Sequence, residues 1–159
     1  MREAGRGARP YKLQAPPAVI LIRVLVGAVF LEEGIQKFLF PALLGEGRFG
    51  RIGIPWPNVM GPVVGAVEVF CGALLLLGFF TRLASLPLVC VISTAIASTK
   101  LPILLGHGYG PFHLAQLNRY GFWAMASESR TDFSMLAGLL FLLITGPGRW
   151  SLDAVFFDR

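Results

Sequence analysis

Four long apolar runs dominate this sequence and limit the folds that it can adopt. They cover about residues 18–40, 58–80, 83–105 and 132–148. A helix needs about 20 predominantly apolar residues to cross the hydrocarbon core of a bilayer, and the first three runs meet this length. The fourth is the shortest, because only 13 apolar-leaning residues lie between Phe133 and Thr145. We therefore expect an all-α integral membrane protein folded as a four-helix bundle.

The amino-acid composition agrees with this fold class. Of the 159 residues, 55% are hydrophobic and 14% are charged, and the mean hydropathy is +0.67. These values are too apolar for a soluble domain of ordinary composition. We expect one domain over residues 1–159, with a tail at 1–17 and an outer loop at 106–131. The tail is basic, but no small-x-small cleavage site follows the first run, which predicts an uncleaved first span.

The positions of Lys and Arg predict the orientation of the bundle. If the four runs alternate in direction, seven basic residues lie on one side and four on the other. The seven are Arg2, Arg6, Arg9, Lys12, Arg82, Arg149 and Arg159, and the four are Arg48, Arg51, Arg119 and Arg130. Cytoplasmic loops carry the excess of Lys and Arg, so both termini are expected in the cytoplasm. This bias also accounts for the net charge of +5 without a nucleic-acid partner.

The connection between the third and fourth runs is rich in glycine and aromatic residues. Within it, the stretch FHLAQLNRYGFW (Phe112–Trp123) places its apolar side chains at loosely helical spacing. An amphipathic helix of this kind lies in the membrane interface. We therefore expect a partly helical outer loop that caps the bundle, and a lid over a site is the alternative.

Several charged residues interrupt the first run. An ionisable side chain at the centre of a span costs at least ~2.5 kcal/mol, so it must be paired, face a cavity or lie near an end. Arg23 is expected near the inner end, where it can snorkel to the headgroups. Glu33 and Lys37 are four residues apart in the favourable order and are expected to pair. Glu32 points about 100° further round the helix, so the two carboxylates cannot easily share one partner, and one of them is expected to be protonated or matched by another helix.

Glu68 lies near the middle of the second run and is the most costly charge in the chain. Gly61, Gly65 and Gly72 surround it at a spacing that lets two helices approach closely. With Lys100 near the outer end of the third run and Asp132 at the start of the fourth, these charges converge on the outer half of the bundle. The candidate intramembrane polar site is Glu33, Lys37, Glu68, Lys100 and Asp132.

Two interpretations of this polar site remain open. One is an ion-pair network that holds four helices in register. The other is a site open to the outer face that binds a small ligand, a quinone head group or protons. Intramembrane carboxylates favour the second interpretation, because such costly groups are retained mainly at functional sites.

Two cysteines and two histidines are weaker candidates. Cys71 and Cys90 fall at similar depth on neighbouring predicted helices and could face each other as a redox pair, although buried cysteine usually fills apolar space. His107 and His113 lie in the outer loop without a third ligand, so no metal site is predicted. The sequence has no motif for a covalently bound cofactor, and redox chemistry would need a diffusible quinone or a partner protein.

Four short motifs follow one another in a fixed order. Arg23 leads to GIQK (Gly34–Lys37), and then come GAVEVFCG (Gly65–Gly72), GFFTRLA (Gly78–Ala84) and GPGRWSLD (Gly146–Asp153). In these motifs the chain resembles the DoxX family of small four-helix membrane proteins. The resemblance implies a multi-pass bundle in the bacterial cytoplasmic (inner) membrane. It also implies a link to quinone-dependent sulfur oxidation, in which DoxX partners DoxD in a thiosulfate:quinone oxidoreductase, or to thiol and oxidative-stress defence.

From these observations we expect an accessory or small subunit of a quinone-linked or thiol/sulfur-linked redox system. In this interpretation Glu33 and Glu68 accept protons, and Lys37 and Lys100 are their electrostatic partners. The expected partners are the lipid bilayer and other membrane or redox proteins, or further copies of this chain. The alternatives are a non-enzymatic membrane scaffold subunit and a small-solute or proton conductor.

Overall fold

A computed structural model describes residues 16–157, and nearly all of its regular structure is helical. The elements are α1 (Val19–Leu39), α2 (Glu46–Ile52), α3 (Pro57–Leu77), α4 (Thr81–Ala95), a π-helical turn (Ile96–Lys100), α5 (Leu101–Leu105), α6 (Phe122–Glu128), α7 (Arg130–Thr145) and α8 (Leu152–Phe157). Between residues 16 and 157 no β-strand forms, and a single β-bridge joins Tyr109 to Phe112. The prediction of an all-α chain is confirmed.

Two of the described helices are long and apolar enough to cross a membrane. They are α3 and the continuous helix Thr81–Leu105, which is made of α4, the π-helical turn and α5. The helix α1 has 21 residues but carries Arg23 and three further charges towards its other end. The helix α7 is only 16 residues long. The helix α1 therefore differs from the two membrane-spanning candidates by its charges, and α7 differs from them by its short length.

Glycine pairs bring α1 and α3 into close contact. A Cβ atom on Gly34 would lie 2.7 Å from the carbonyl oxygen of Gly65, and one on Gly27 would lie 3.0 Å from that of Gly72. Because the earlier glycine of one helix faces the later glycine of the other, the two helices are antiparallel. The expected close approach at Gly65 and Gly72 is confirmed. Gly61 instead packs against the backbone of α2 at Glu46.

The apolar core lies where α1, α3, α4 and α7 meet. Phe30, Leu75, Leu88 and Leu139 are buried there, one from each of these helices. Such side chains stabilise the fold by removing apolar surface from its surroundings and by close packing. The four longest helices therefore surround one shared core.

Arg23 is buried, and the expectation that it snorkels to the headgroups is wrong. Its side chain is 3% exposed. The guanidinium donates hydrogen bonds from Nη1 to the carbonyl of Pro147 and from Nη2 to that of Trp150, each at 2.6 Å. The guanidinium reaches these carbonyls beside Gly78, where a Cβ atom would lie 2.6 Å from Nη1. Arg23 therefore joins the first helix to the GPGRWSLD segment, at the opposite end of α1 from Lys37.

The same segment caps α4. The carboxylate of Asp153 accepts hydrogen bonds from the backbone N–H groups of Phe80, at 2.7 Å, and Thr81, at 3.0 Å. The first N–H groups of a helix have no partner inside the helix, and a carboxylate is the favoured acceptor there. A side chain distant in sequence thus provides the acceptor for the first N–H groups of α4.

The connections from α1 to α3 and from α5 to α7 lie at the other end of the bundle from the GPGRWSLD segment, and both differ from the sequence prediction. The predicted helical spacing in Phe112–Trp123 does not form a helix, because α6 begins only at Phe122. The preceding backbone is instead bound to other elements, with the N–H of His113 donating to Ile52 and that of Gly121 to Ile103. The outer loop is still partly helical, through α6. The connection between α1 and α3, for which no helix was predicted, contains the short helix α2.

Candidate functional site

A cavity of about 530 Å³ lies among α1, α2, α3, α4, the π-helical turn and α7. All five residues of the predicted polar site line it: Glu33, Lys37, Glu68, Lys100 and Asp132. Small-molecule sites in proteins commonly have volumes of about 300–1,000 Å³. The cavity is therefore large enough for a small organic ligand.

Lys37 is the centre of a charge cluster on one side of the cavity. Its Nζ lies 2.6 Å from Oε2 of Glu68 and 3.5 Å from Oε2 of Glu33. Lys37 and Glu68 are almost fully buried, with side chains 9% and 5% exposed, whereas Glu33 is 49% exposed. The expected Glu33–Lys37 pair is confirmed, and the shorter contact with Glu68 joins α1 to α3. One ammonium group thus stands between a buried and an exposed carboxylate.

The direction of the side chains explains why Lys37 and Glu68 meet. Helical side chains lean towards the N-terminus of their own helix. The side chain of Lys37 therefore points towards the N-terminal end of α1, and that of Glu68 points towards the N-terminal end of α3. Because the two helices are antiparallel, these directions are opposite and the two side chains converge. The close contact between Gly34 and Gly65 brings the two backbones near enough for the charges to touch.

A second ion pair lies in the same cavity. Nζ of Lys100 is 3.2 Å from Oδ2 of Asp132, with the two side chains 12% and 22% exposed. Asp132 is in the first turn of α7, where the helix dipole stabilises a carboxylate. The pair joins the π-helical turn to α7, as the predicted convergence of these two residues requires.

The π-helical turn shapes the cavity wall. Ser98, Thr99 and Lys100 all belong to it and line the cavity. The hydroxyl of Thr99 donates to the carbonyl of Ala95 at 2.6 Å. Turns of this kind are rare and occur frequently at functional sites. The turn was not predicted from the sequence, where its one signal is Pro102, which removes a backbone donor from the helix.

Apolar side chains form most of the remaining wall. They include Val29 and Phe30 from α1, Val64 from α3 and Met135 from α7. The helix α2 contributes Arg48 and Phe49, and α6 contributes Glu128. These last three were not predicted, because no helix was expected at α2 and the helix in the outer loop was expected before α6. The cavity therefore combines apolar walls with charged groups on several sides.

Glu32 lies outside this cavity wall. It is exposed, and its carboxylate accepts a hydrogen bond of 2.7 Å from the side-chain amide of Gln36. Glu32 and Glu33 have different partners, but both partners, Gln36 and Lys37, are on α1, so neither carboxylate is matched by another helix as expected. The position of Glu32 on another face of α1 makes it a useful reference for the buried carboxylate of Glu68.

The cysteines and histidines occupy separate places. Cys71 is buried in the core, while Cys90 is exposed and lines the cavity, and both are free thiols. His107 and His113 are exposed in the outer loop, next to the carbonyls of Gly108 and Arg51 respectively. Across residues 16–157, no three His, Cys, Asp or Glu side chains form a group that could hold a metal ion.

The fold and the site together define a class of protein. An all-helical chain with two helices able to cross a membrane, and with ion pairs between helices of an apolar bundle, is typical of an integral membrane protein. The chain belongs to the DoxX family, whose sequence model matches residues 18–101. The matched region includes Arg23, Lys37 and Glu68. The resemblance identified from the motifs is confirmed.

Comparison with individual proteins supports the same assignment. The chain is 54% identical over 140 residues to the uncharacterised membrane protein Rv3486 of Mycobacterium tuberculosis, which covers 88% of this chain and 82% of that protein. It is 32% identical to the inner membrane protein YphA of Escherichia coli, over 87% of this chain and 91% of YphA. It is also 32% identical to CatD of Bacillus subtilis, provisionally named an oxidoreductase, over 87% and 86% of the two chains. No solved structure matches.

Proposed function

We propose that this protein is a four-span subunit whose cavity binds a quinone head group in a thiol-linked or sulfur-linked redox system. The spans are α1, α3, the helix Thr81–Leu105 and α7 with the residues that follow it. Both termini lie in the cytoplasm, in accord with the seven-to-four distribution of basic residues. The cavity then faces the outer half of the bilayer of the bacterial inner membrane.

The single observation that carries this proposal is the combination of apolar walls with two ion pairs in one cavity. A quinone head group is a flat apolar ring with two carbonyl oxygens. Val29, Phe30 and Met135 can contact such a ring, and the ammonium groups of Lys37 and Lys100 can donate to its oxygens. Since a quinone enters from the bilayer, a site between membrane helices is accessible to it without crossing water.

The chemistry that a bound quinone supplies is the uptake of two electrons and two protons to form a quinol. Oxidation of two thiols to one disulfide releases the same numbers of electrons and protons, so the two half-reactions balance. Glu68 is buried and Glu33 is exposed, with Lys37 between them. We assign the two carboxylates to proton exchange between the cavity and the outside, with Lys37 holding them in place.

The protein is proposed to act with a partner rather than alone. The electrons reach the quinone from a thiol or sulfur compound, or from a partner redox protein in the membrane. The provisional name of CatD, a relative that aligns along most of its length, supports an oxidoreductase setting.

Purification from the native membrane tests the proposal. We expect quinone to remain bound to the gently solubilised protein, as detected by mass spectrometry, and to be lost in Glu68→Gln. The matched control is Glu32→Gln, because Glu32 is on the same bundle but makes its hydrogen bond outside the cavity. The control should retain quinone as the unaltered protein does, and thermal unfolding of both variants shows whether they fold.

Two results contradict the quinone site. Equal quinone content in the Glu68→Gln variant and the unaltered protein would remove the ligand from this cavity. A stoichiometric protein partner with no bound small molecule would instead make the ion pairs structural. The chain would then be a scaffold subunit that holds a larger assembly.

A further inference from the structure

The π-helical turn leaves one backbone carbonyl without a donor from its own helix. The N–H of Leu101 donates to the carbonyl of Ile96 and not to that of Ala97, as a regular α-helix would require. In this wider, π-helical register each N–H donates to the carbonyl five residues earlier, so the donor for the carbonyl of Ala97 would be residue 102. That residue is Pro102, which has no N–H. In the π-helical register that the structure adopts, the helix therefore supplies no donor to the carbonyl of Ala97.

Tyr109 of the outer loop supplies the missing donor. Its hydroxyl donates to the carbonyl of Ala97 at 2.8 Å. The tyrosine is itself held in place, because its backbone exchanges two hydrogen bonds with Phe112, at 3.0 and 3.1 Å. The two rings also pack edge to face, with centroids 5.4 Å apart. The donor is therefore fixed on an ordered part of the loop.

The register of this turn decides where Lys100 points. In the wide turn, Lys100 lines the cavity and its Nζ lies 3.2 Å from Asp132. Each residue of an α-helix turns the chain by about 100°, so tightening the turn into a regular register rotates Lys100 relative to α7. The carbonyl of Ala97 would then take the N–H of Leu101 and no longer need the tyrosine.

We propose that Tyr109 is a positioning residue for the cavity. Its hydroxyl holds the π-helical turn in the wide register and thereby keeps Lys100 facing Asp132. Docking of the outer loop and the charge arrangement inside the cavity are thus coupled through one hydrogen bond. This inference concerns the protein with or without an occupant, so it goes beyond the proposed quinone function.

Chemical labelling of lysine tests this role directly. The sequence has only three lysines, Lys12, Lys37 and Lys100, so acetylation by an amine-reactive ester can be measured at each by mass spectrometry. We expect Tyr109→Phe to raise the labelling rate of Lys100 by about three- to tenfold, the population shift that follows loss of one ordinary hydrogen bond. Lys37, buried in α1, should keep its low rate.

The matched control is Tyr120→Phe. Tyr120 lies in the same loop, but its hydroxyl donates to the carbonyl of Ala115 within that loop, at 3.2 Å. Labelling of Lys100 should not change in this variant. An unchanged rate at Lys100 in Tyr109→Phe would overturn the proposal. So would equal increases at Lys37 and Lys100, which would report general loosening of the bundle.

A second variant tests whether Tyr109 acts through the carbonyl of Ala97 or only by holding the outer loop against the bundle. Pro102→Ala restores an N–H, so the carbonyl of Ala97 has a backbone donor in either register. In that background, adding Tyr109→Phe should leave the labelling of Lys100 unchanged. If Tyr109→Phe still raises labelling as strongly there, the tyrosine does not act through Ala97, and the proposal fails.

Binding of a short-chain benzoquinone is measured in parallel to keep the two proposals apart. Weaker binding in Tyr109→Phe, together with faster labelling of Lys100, supports both. Absence of quinone binding in the unaltered protein contradicts the proposed function. The labelling experiment still decides the positioning role of Tyr109 in that case.

Discussion

At the scale of single residues, Lys37 holds the most demanding position in the protein. It is buried at the contact of α1 and α3 and faces two carboxylates of very different exposure. Removing one partner of a buried ion pair leaves an uncompensated charge in apolar surroundings, which is far more costly than breaking an exposed pair. The two carboxylates should therefore differ strongly in their contribution to stability.

Substitutions at this cluster measure that difference. We expect Lys37→Met to lower the free energy of unfolding by about 3–5 kcal/mol, because Glu68 loses its partner. Glu33→Gln should change it by less than about 1 kcal/mol, since Glu33 is half exposed. Thermal unfolding in detergent compares the two. The double variant Lys37→Met with Glu68→Leu should recover much of the loss, and equal effects of the two single substitutions would contradict this account.

Predictions from the sequence alone were least complete for the contacts of single residues. The Glu33–Lys37 pair could be predicted because both residues lie on one helix at a fixed spacing. The Lys37–Glu68 contact could not be specified, because it depends on the distance and direction of two helices. Arg23 was misjudged for the same reason, since its acceptors, the carbonyls of Pro147 and Trp150, are more than 120 residues away in sequence.

At the scale of elements, the contact of α1 with α3 depends on the absence of side chains. The backbone of each helix occupies the space that a Cβ atom of the other would need at Gly27, Gly34 and Gly72. Without a hydrophobic driving force inside the bilayer, packing of this kind is a main source of helix association. Even one methyl group should push the helices apart.

Gly34→Ala tests the close contact. Its Cβ atom would lie 2.7 Å from the carbonyl oxygen of Gly65, which is backbone and cannot rotate away. We expect a loss of about 1–3 kcal/mol in the free energy of unfolding, as in other overpacked interiors. The control is Gly50→Ala in α2, whose Cβ atom would meet Pro57 only at 3.7 Å. Thermal unfolding should show no loss in the control, and similar losses in both would contradict the packing role.

The long helices could be predicted from the sequence to within a few residues, because their apolar runs are long and end at turn residues such as Pro41, Gly78 and Gly106. The short helix α2 could not, since seven residues with two glycines give no periodic signal. Its position depends on Arg51, which donates to the carbonyls of Ala42 and Leu43. The helix in the outer loop was expected too early because the backbone at His113 pairs with Ile52.

At the scale of the whole molecule, two groups of charges hold opposite ends of α1. At one end, Arg23 ties α1 to the GPGRWSLD segment. At the other, Lys37 and Lys100 connect α1 to α3 and the π-helical turn to α7. The family motifs noticed in the sequence fall into these same two groups. The first group is structural, and the second lines the cavity.

The proposed orientation predicts which side of the membrane each group faces. Arg119 lies in the outer loop and Arg149 in the GPGRWSLD segment, and both are exposed. A membrane-impermeant maleimide should label Arg119→Cys in intact cells, and Arg149→Cys only after the membrane is permeabilised. The unaltered protein measures the background from Cys71 and Cys90. The reverse pattern would invert the topology and place the cavity in the inner half of the bilayer.

The cap of α4 by Asp153 has a consequence for the way in which the chain is made. Thr81 and the carboxylate that accepts its N–H are 72 residues apart in sequence. At ordinary rates of protein synthesis, about 5–20 residues per second, the start of α4 waits several seconds for its acceptor. During that time the hairpin of α3 and α4 has left the ribosome, while the first turn of α4 still lacks its acceptor. A chain that ends just before Asp153 would therefore contain every long helix but lack the acceptor that completes the first turn of α4.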